Sequence, residues 1–196
     1  MMEQLALFAP AGQSKGLPKH LLDYQSGLLD PQESNRLLAY FIAHTPWKQT
    51  TQKLWDKEYL TPRMTCWYGE TDKIPGTLPW TPELQAIREM AEPLAGVSFN
   101  SVLLNYYRDG NDSVAWHSDK ESIMGSQPVI ASVSFGEVLS FDIRNKADHS
   151  EKYSVRLEHG SFLLMKSGLQ EQWEHRIAKS TKLMKPRVNL TFRLVI

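Results

Sequence analysis

The sequence predicts a mainly β domain with flanking helices, an α+β arrangement whose strands build a sandwich, jelly roll or barrel. After Gly96 the chain runs through short segments rich in branched and aromatic residues: SFNSVLLNYY, VIASVSF, VLSFDIR, KYSVRL, SFLLMK and RVNLTFRLVI. Gly, Asp, Asn or Pro separates them, and no helical period intervenes. Before Gly96 two stretches carry helix signals instead. At 196 residues the chain has the length of one well-packed domain.

The first helix is announced by its start. Asp30 offers an N-cap, Pro31 the first helical position and Glu33 an acid three residues after the cap, and Leu37, Leu38, Phe41 and Ile42 follow at helical spacing. The pattern predicts a helix over about 31–44. Thr81, Pro82 and Glu83 open a second, with Leu84, Ile87, Met90 and Ala91 on one face and a stop near Pro93 and Gly96. It is expected over about 82–95. Residues 1–29, rich in Gly, Pro, Ser and Lys without a sustained period, read as an N-terminal arm.

Composition removes several classes of function. The chain is 41% hydrophobic and 22% charged, and no apolar run approaches the roughly 18–20 residues that span a bilayer, so no membrane role is expected. The opening MMEQLALFAP holds an acid and no basic n-region, unlike a secretory signal, and the expected location is cytoplasmic. Cys66 is the single cysteine, which excludes an internal disulfide and a zinc site of several thiolates. Any metal must be held by His and carboxylate. Formal net charge is zero, so a nucleic-acid partner has to be argued locally, from Lys15 to His20, Arg63 with Lys73, Arg144 with Lys146, and Lys179 to Arg187. Scattered basic residues are ordinarily solvated surface.

The chemistry concentrates in NYYRDGNDSVAWHSDKE. His117 and Asp119 are two apart, so in an extended strand both side chains point to one face. His175, in WEHRI, is the best third candidate among the remaining histidines. Two His and one carboxylate with the other positions open form the facial triad of non-haem iron(II) oxygenases. H-x-D alone is a weak signal, and a structural histidine in a core explains it as well. The C-terminal strand adds weight. Arg187, Asn189, Thr191 and Arg193 alternate with Val188, Leu190, Phe192 and Leu194, giving one polar and one apolar face. Alternation by itself would suit an edge strand with a wet outer face. Two arginines without an acid on that face suit an anion, since the guanidinium grips carboxylates in a bidentate fork.

The order N-x-Y, H-x-D, S-V-S-F-G, H-G-S, a later His and R-x-N-x-T-x-R resembles the AlkB family over about residues 100–196. PRMTCWYG and LPWTPEL extend the resemblance back to about residue 62, and the spacing of twelve from His175 to Arg187 is similar to the branch with the eukaryotic DNA-repair homologues. The resemblance implies a double-stranded β-helix, that is, a jelly roll, over 97–196, preceded over 30–96 by helices and a nucleotide-recognition lid. It implies iron(II) on His117, Asp119 and His175, and 2-oxoglutarate on Asn105, Tyr107, Arg187 and Arg193, with Asn189 and Thr191 on the same lining. O2 is the further cosubstrate. Arg63, Trp67 and Tyr68 fall in the lid segment, where Trp67 and Tyr68 read equally well as core aromatics. Glu121 matches a base-contacting acid, and Trp55 falls where duplex-acting homologues carry an aromatic wedge on a hairpin, although it also reads as a residue alternating into the sheet.

The implied reaction couples decarboxylation of 2-oxoglutarate to succinate with hydroxylation of an N-alkyl carbon. The hemiaminal then collapses to an aldehyde and the repaired base, 1-methyladenine and 3-methylcytosine being the expected lesions. The expected partner is alkylated DNA, with RNA left open, and the expected state a monomer. A dioxygenase acting on protein or a small molecule, or a jelly-roll module without catalysis, are the alternatives, because a fold does not fix a substrate.

Overall fold

The computed structural model describes residues 18–54, 57–119, 123–125 and 127–196. Trp55 and Glu121, and with them the expected wedge and base contact, lie outside these residues.

Both expected helices form. Helix α1 spans Pro31–His44, and the Asp30 carboxylate accepts from the Glu33 backbone N–H at 2.9 Å, satisfying one of the donors a helix start leaves open. Helix α2 spans Pro82–Ala95 under the Thr81 hydroxyl and ends at Gly96, whose φ of 69° is the left-handed conformation that closes a helix. The strands are β1 (Leu22–Gln25), β2 (Thr51–Leu54), β3 (Lys57–Leu60), β4 (Met64–Gly69), β5 (Ser101–Tyr107), β6 (Val114–His117), β7 (Ile130–Gly136), β8 (Leu139–Asn145), β9 (Lys152–Leu157), β10 (Ser161–Met165), β11 (Trp173–Ile177) and β12 (Arg187–Arg193), with a short helix α3 (Leu169–Gln172) before β11.

Two antiparallel sheets face each other. The larger has the order β1-β10-β7-β12-β5-β4, the smaller β6-β11-β8-β9, and β2 and β3 form a separate hairpin. This is the jelly roll that the alternating strands predict. Residues 22–25, read from sequence as part of the arm, are instead the edge strand β1, paired along β10 from Leu22 opposite Met165 to Gln25 opposite Phe162. A four-residue strand between turns offers too short a window for periodicity to register.

The large sheet separates two apolar layers. Val102, Leu104, Ala131, Val133, Val188, Leu190 and Phe192 pack with Leu37 and Phe41 of α1 and Leu84 and Ile87 of α2, all buried. The opposite face looks toward Phe141, Ile143, Leu157 and Trp173 of the small sheet and its approach. Strand β12 lies between β7 and β5, so its polar residues face the interior between the sheets and not a wet edge.

Gly136 ends β7 with φ of 93°, and a Cβ there would meet the Pro186 carbonyl oxygen at 2.2 Å. Gly136→Ala is therefore expected to cost about 2–3 kcal/mol, combining left-handed strain with a backbone clash, and to lower the melting temperature by roughly 4–12 °C for a domain of this size. A shift under about 2 °C in a thermal melt would show that the β7–β12 junction relaxes freely.

Candidate active site

The small sheet brings the metal-type ligands together. In the β6–β11 pair His175 lies opposite His117, while Ile177 lies opposite Val114, so three steps on β6 match two on β11. The extra residue is a β-bulge, and it lets Val114 and His117 both line the interior cavity despite their odd spacing. Strand β6 ends at His117, so the extended strand expected through Asp119 stops short. Asp119 nonetheless reaches the site, its Oδ1 lying 3.9 Å from His117 Nε2. Ligand atoms of His117, Asp119 and His175 all lie within 4.8 Å of one another.

The protonation states suit a cation. His117 Nδ1 lies 2.9 Å from the Ala115 carbonyl, which can only accept, so Nδ1 is the donor there and Nε2 is the nitrogen turned to Asp119. His175 is 5% exposed, its ring stacks on Phe141 at 5.0 Å, and its buried Nδ1 has no hydrogen-bond partner among the described residues. Burial, helped by His117, pushes its pKa down to about 3, so the ring is neutral. Burial acts to raise the Asp119 carboxyl, but Arg193 and the two imidazoles outweigh it and hold it below its ordinary value. A neutral His175 and an ionised Asp119 are the forms in which these groups bind a metal, and His117 turns its Nε2 toward them.

Across the cavity β12 presents its polar face. Arg187 is 1% exposed, donates from Nη2 to Ser134 Oγ at 2.9 Å, and lies over the Tyr107 ring at 5.1 Å. Among the described residues its Nε and Nη1 have no hydrogen-bond partner, and burial lowers its pKa. Asn189 Nδ2 donates to Ser132 Oγ at 2.7 Å, and Thr191 Oγ1 donates to Asn189 Oδ1 at 3.1 Å. Arg193 Nη2 donates to Asp119 Oδ1 at 2.8 Å, leaving its buried Nε free. Asn105 Oδ1 accepts from Arg63 Nε at 2.8 Å. Apart from Ser134, these side chains line one cavity of about 160 Å³ with His117, Asp119 and His175. A buried guanidinium with two unpaired donors and no carboxylate is costly unless an anion joins it.

The remaining expected site residues divide. Arg63 lines the cavity. Trp67 lies opposite Leu103, a cavity residue, so it shares the interior-facing side of β4. Tyr68 lies opposite Val102 and belongs to the helix-side core, 5% exposed, with its phenol pushed up to about 12 by burial. Tyr68 is thus a core residue and not a wall of the site, because side chains alternate along a strand. Ser132, Ser134 and Gln170 were not singled out from sequence. The serines alternate with Ala131, Val133 and Phe135 as the polar residues of β12 alternate with its apolar ones, and that shared period was the available signal. Gln170 had none.

A jelly roll holding two imidazoles, one carboxylate and a buried, unneutralised guanidinium in one cavity is built as a non-haem iron(II) oxygenase with an anionic cosubstrate. The profile of the 2OG-Fe(II) oxygenase superfamily matches residues 22–193. The chain is 39% identical over 183 residues to the alpha-ketoglutarate-dependent dioxygenase alkB homolog 3 of Mus musculus, an alignment covering 86% of this chain and 64% of that protein. It is 36% identical over 179 residues to the DNA oxidative demethylase ALKBH2 of Homo sapiens, covering 84% and 67%. A solved structure of OsALKBH1 superposes with a TM-score of 0.64 at 14% identity, over 88% of this chain and 97% of that one, a likeness of fold. The chain belongs to the 2OG-Fe(II) oxygenase superfamily and, within it, to the AlkB family. It spans 64% of the length of the alkB homolog 3 relative. Iron(II), 2-oxoglutarate and O2 are the reactants the family implies, and the neutral His175 imidazole, the ionised Asp119 carboxylate and the orphaned Arg187 donors fit them.

Proposed function

We propose that the chain is an iron(II)- and 2-oxoglutarate-dependent dioxygenase that removes alkyl groups oxidatively from bases of damaged DNA. The observation that carries this reading is the pairing, in one buried cavity, of a three-donor metal cluster with an Arg187 guanidinium that has two donors unspent. His117, Asp119 and His175 hold the iron. Arg187 takes the distal carboxylate of 2-oxoglutarate, with Tyr107 walling its guanidinium. Asn105, whose oxygen is occupied by Arg63, would have its amide N–H₂ available to the cosubstrate, and Arg193 would steady the metal ligand Asp119. Bound together, iron, 2-oxoglutarate and O2 supply the oxidation of the N-alkyl carbon.

Substrate recognition rests on the lid segment. Arg63, just before β4, lines the cavity, Trp67 lies on the cavity side of β4, and the segment entering β4 is tied to the β5–β6 loop by the Ser113 N–H donating to the Pro62 carbonyl at 2.6 Å. A cationic alkylated base is favoured in this reading by the negative charge of Glu121, whose support is its position two residues after Asp119. Among the described residues no helix is long and apolar enough to cross a membrane, and the reading has the protein acting as a monomer in the cytoplasm. The test is succinate and formaldehyde release with methylated single- and double-stranded DNA and RNA. Formaldehyde in step with succinate from 1-methyladenine or 3-methylcytosine in DNA is expected. Succinate without formaldehyde from any oligonucleotide would reject a nucleic-acid substrate, and a preference for RNA would reject the DNA assignment.

In sequence Trp55 falls between the residues of β2 and those of β3, and as an aromatic wedge it would fill the place of an extruded base and offset part of the unstacking cost. Trp55→Ala is expected to slow repair of methylated duplex DNA by about tenfold or more, roughly 1.4 kcal/mol, and to leave single-stranded repair nearly unchanged. An equal loss on both substrates removes the wedge role.

A further inference from the structure

We infer that Gln170 is a positioning residue of the metal centre, holding Asp119 beside the two imidazoles through the Asp119 backbone N–H. Strand β6 ends at His117, so the next two residues leave the ladder before the carboxylate is reached. Two hydrogen bonds hold them. The Ser118 hydroxyl donates to the Trp173 carbonyl at 2.8 Å, and the Asp119 N–H donates to Gln170 Oε1 at 2.9 Å. Both partners belong to the turn of α3 and the start of β11, the strand that delivers His175 two residues after Trp173. The segment carrying the carboxylate is thereby stapled to the segment carrying the second imidazole.

Gln170 is itself immobilised. It is 2% exposed, and its Nε2 donates to Met165 Sδ in the large sheet at 3.7 Å. Its carbonyl accepts from Lys146 Nζ at 2.7 Å, which also bonds the Glu171 carbonyl at 2.9 Å. The neighbouring Leu169 is fully buried and pins the turn to the core. Burying a long amide side chain costs rotamer entropy. Here the amide oxygen is aimed at the backbone of a metal-type ligand instead of at the cavity. Of the three ligands, Asp119 alone lacks strand pairing at its own position, so this bond does for Asp119 what the ladder does for the two histidines.

This inference rests on the reading of His117, Asp119 and His175 as metal ligands. The experiment is Mn(II) titration of the purified full chain, followed by electron paramagnetic resonance, with thermal melts of each metal-free variant. Gln170→Leu, which fills similar space without the acceptor, is expected to weaken Mn(II) binding about tenfold or more, the usual loss when a ligand's outer partner is removed. Gln170→Glu keeps the acceptor oxygen and is expected to stay within about threefold of wild type. A merely structural role would lower the metal-free melting temperature and leave the Mn(II) affinity of the folded protein alone. Affinity within threefold of wild type for Gln170→Leu, or an equal loss in Gln170→Glu, overturns the inference. Should Gln170→Leu not fold, Gln170→Met, unbranched and of similar length, removes the amide oxygen instead, and affinity within threefold of wild type there overturns the inference as well. Equal Mn(II) binding by wild type and His175→Ala would instead defeat the ligand assignment on which it rests.

Discussion

Replacing His175 by Ala is expected to abolish metal-dependent turnover, with 2-oxoglutarate decarboxylation falling at least about a hundredfold. Loss of an outer partner alone typically costs 10–100-fold in affinity or activity, and the variant loses a ligand itself. The expected mechanism is loss of the metal and not of the fold. His175 stacks on Phe141 and fills a buried position, so its removal leaves a small void between β11 and β8 while the strand pairing stays. Mn(II) should raise the melting temperature of wild type, because a ligand at 100 times its dissociation constant stabilises by about 2.7 kcal/mol. It should leave the melting temperature of His175→Ala unchanged. A variant that retains full iron-dependent decarboxylation would show that the third ligand lies elsewhere.

Arg187 should give a second, opposite pair of effects. Arg187→Ala is expected to raise the Michaelis constant for 2-oxoglutarate by about 10–150-fold, from charge-assisted contacts worth about 1.5–3 kcal/mol. Arg187→Lys keeps the charge without the fork and should fall between. Arg193→Ala should also weaken 2-oxoglutarate, with an added loss of metal because its Nη2 bonds Asp119. Stability without ligand should move the other way. The Arg187 guanidinium is fully buried, its partners among the described residues being the Ser134 hydroxyl and Tyr107, and burial of a charge without a carboxylate opposes folding. Arg187→Met, apolar and of similar length, should therefore melt at or above the wild-type temperature when ligand-free, and 2-oxoglutarate should stabilise only the wild type. Michaelis constants within about twofold for both Arg187→Ala and Arg193→Ala, against the tenfold that one such contact is worth, would contradict the clamp. A ligand-free Arg187→Met that is markedly less stable than wild type would show the guanidinium to be a structural group.

The sequence is informative where the deciding interaction is local. Asp30, Pro31 and Glu33 start α1 because a cap and a pre-set φ act within one turn, and Thr81 and Gly96 bound α2 for the same reason. The alternation over 187–193 is a property of the pleat, so the polar and apolar faces of β12 could be read without knowing any neighbour. The residue types of the site, two histidines, a carboxylate and two arginines, are equally legible, since their chemistry travels with the side chain.

Position in space is another matter, because it depends on pairing between residues far apart in the chain. The same alternation that suits a wet edge strand becomes a cavity wall only because β7 and β5 flank β12 on both sides. Trp67 and Tyr68 are adjacent aromatics, and the pairing of β4 with β5 sends the first toward the site side and the second into the helix-side core. His117 faces inward through a bulge against β11, and Asp119 arrives through bonds to a turn more than fifty residues later. The chain carried its helix caps, its strand faces and its chemical groups locally; long-range strand pairing and burial alone chose which faces meet and gave Gln170 a partner no local window contains.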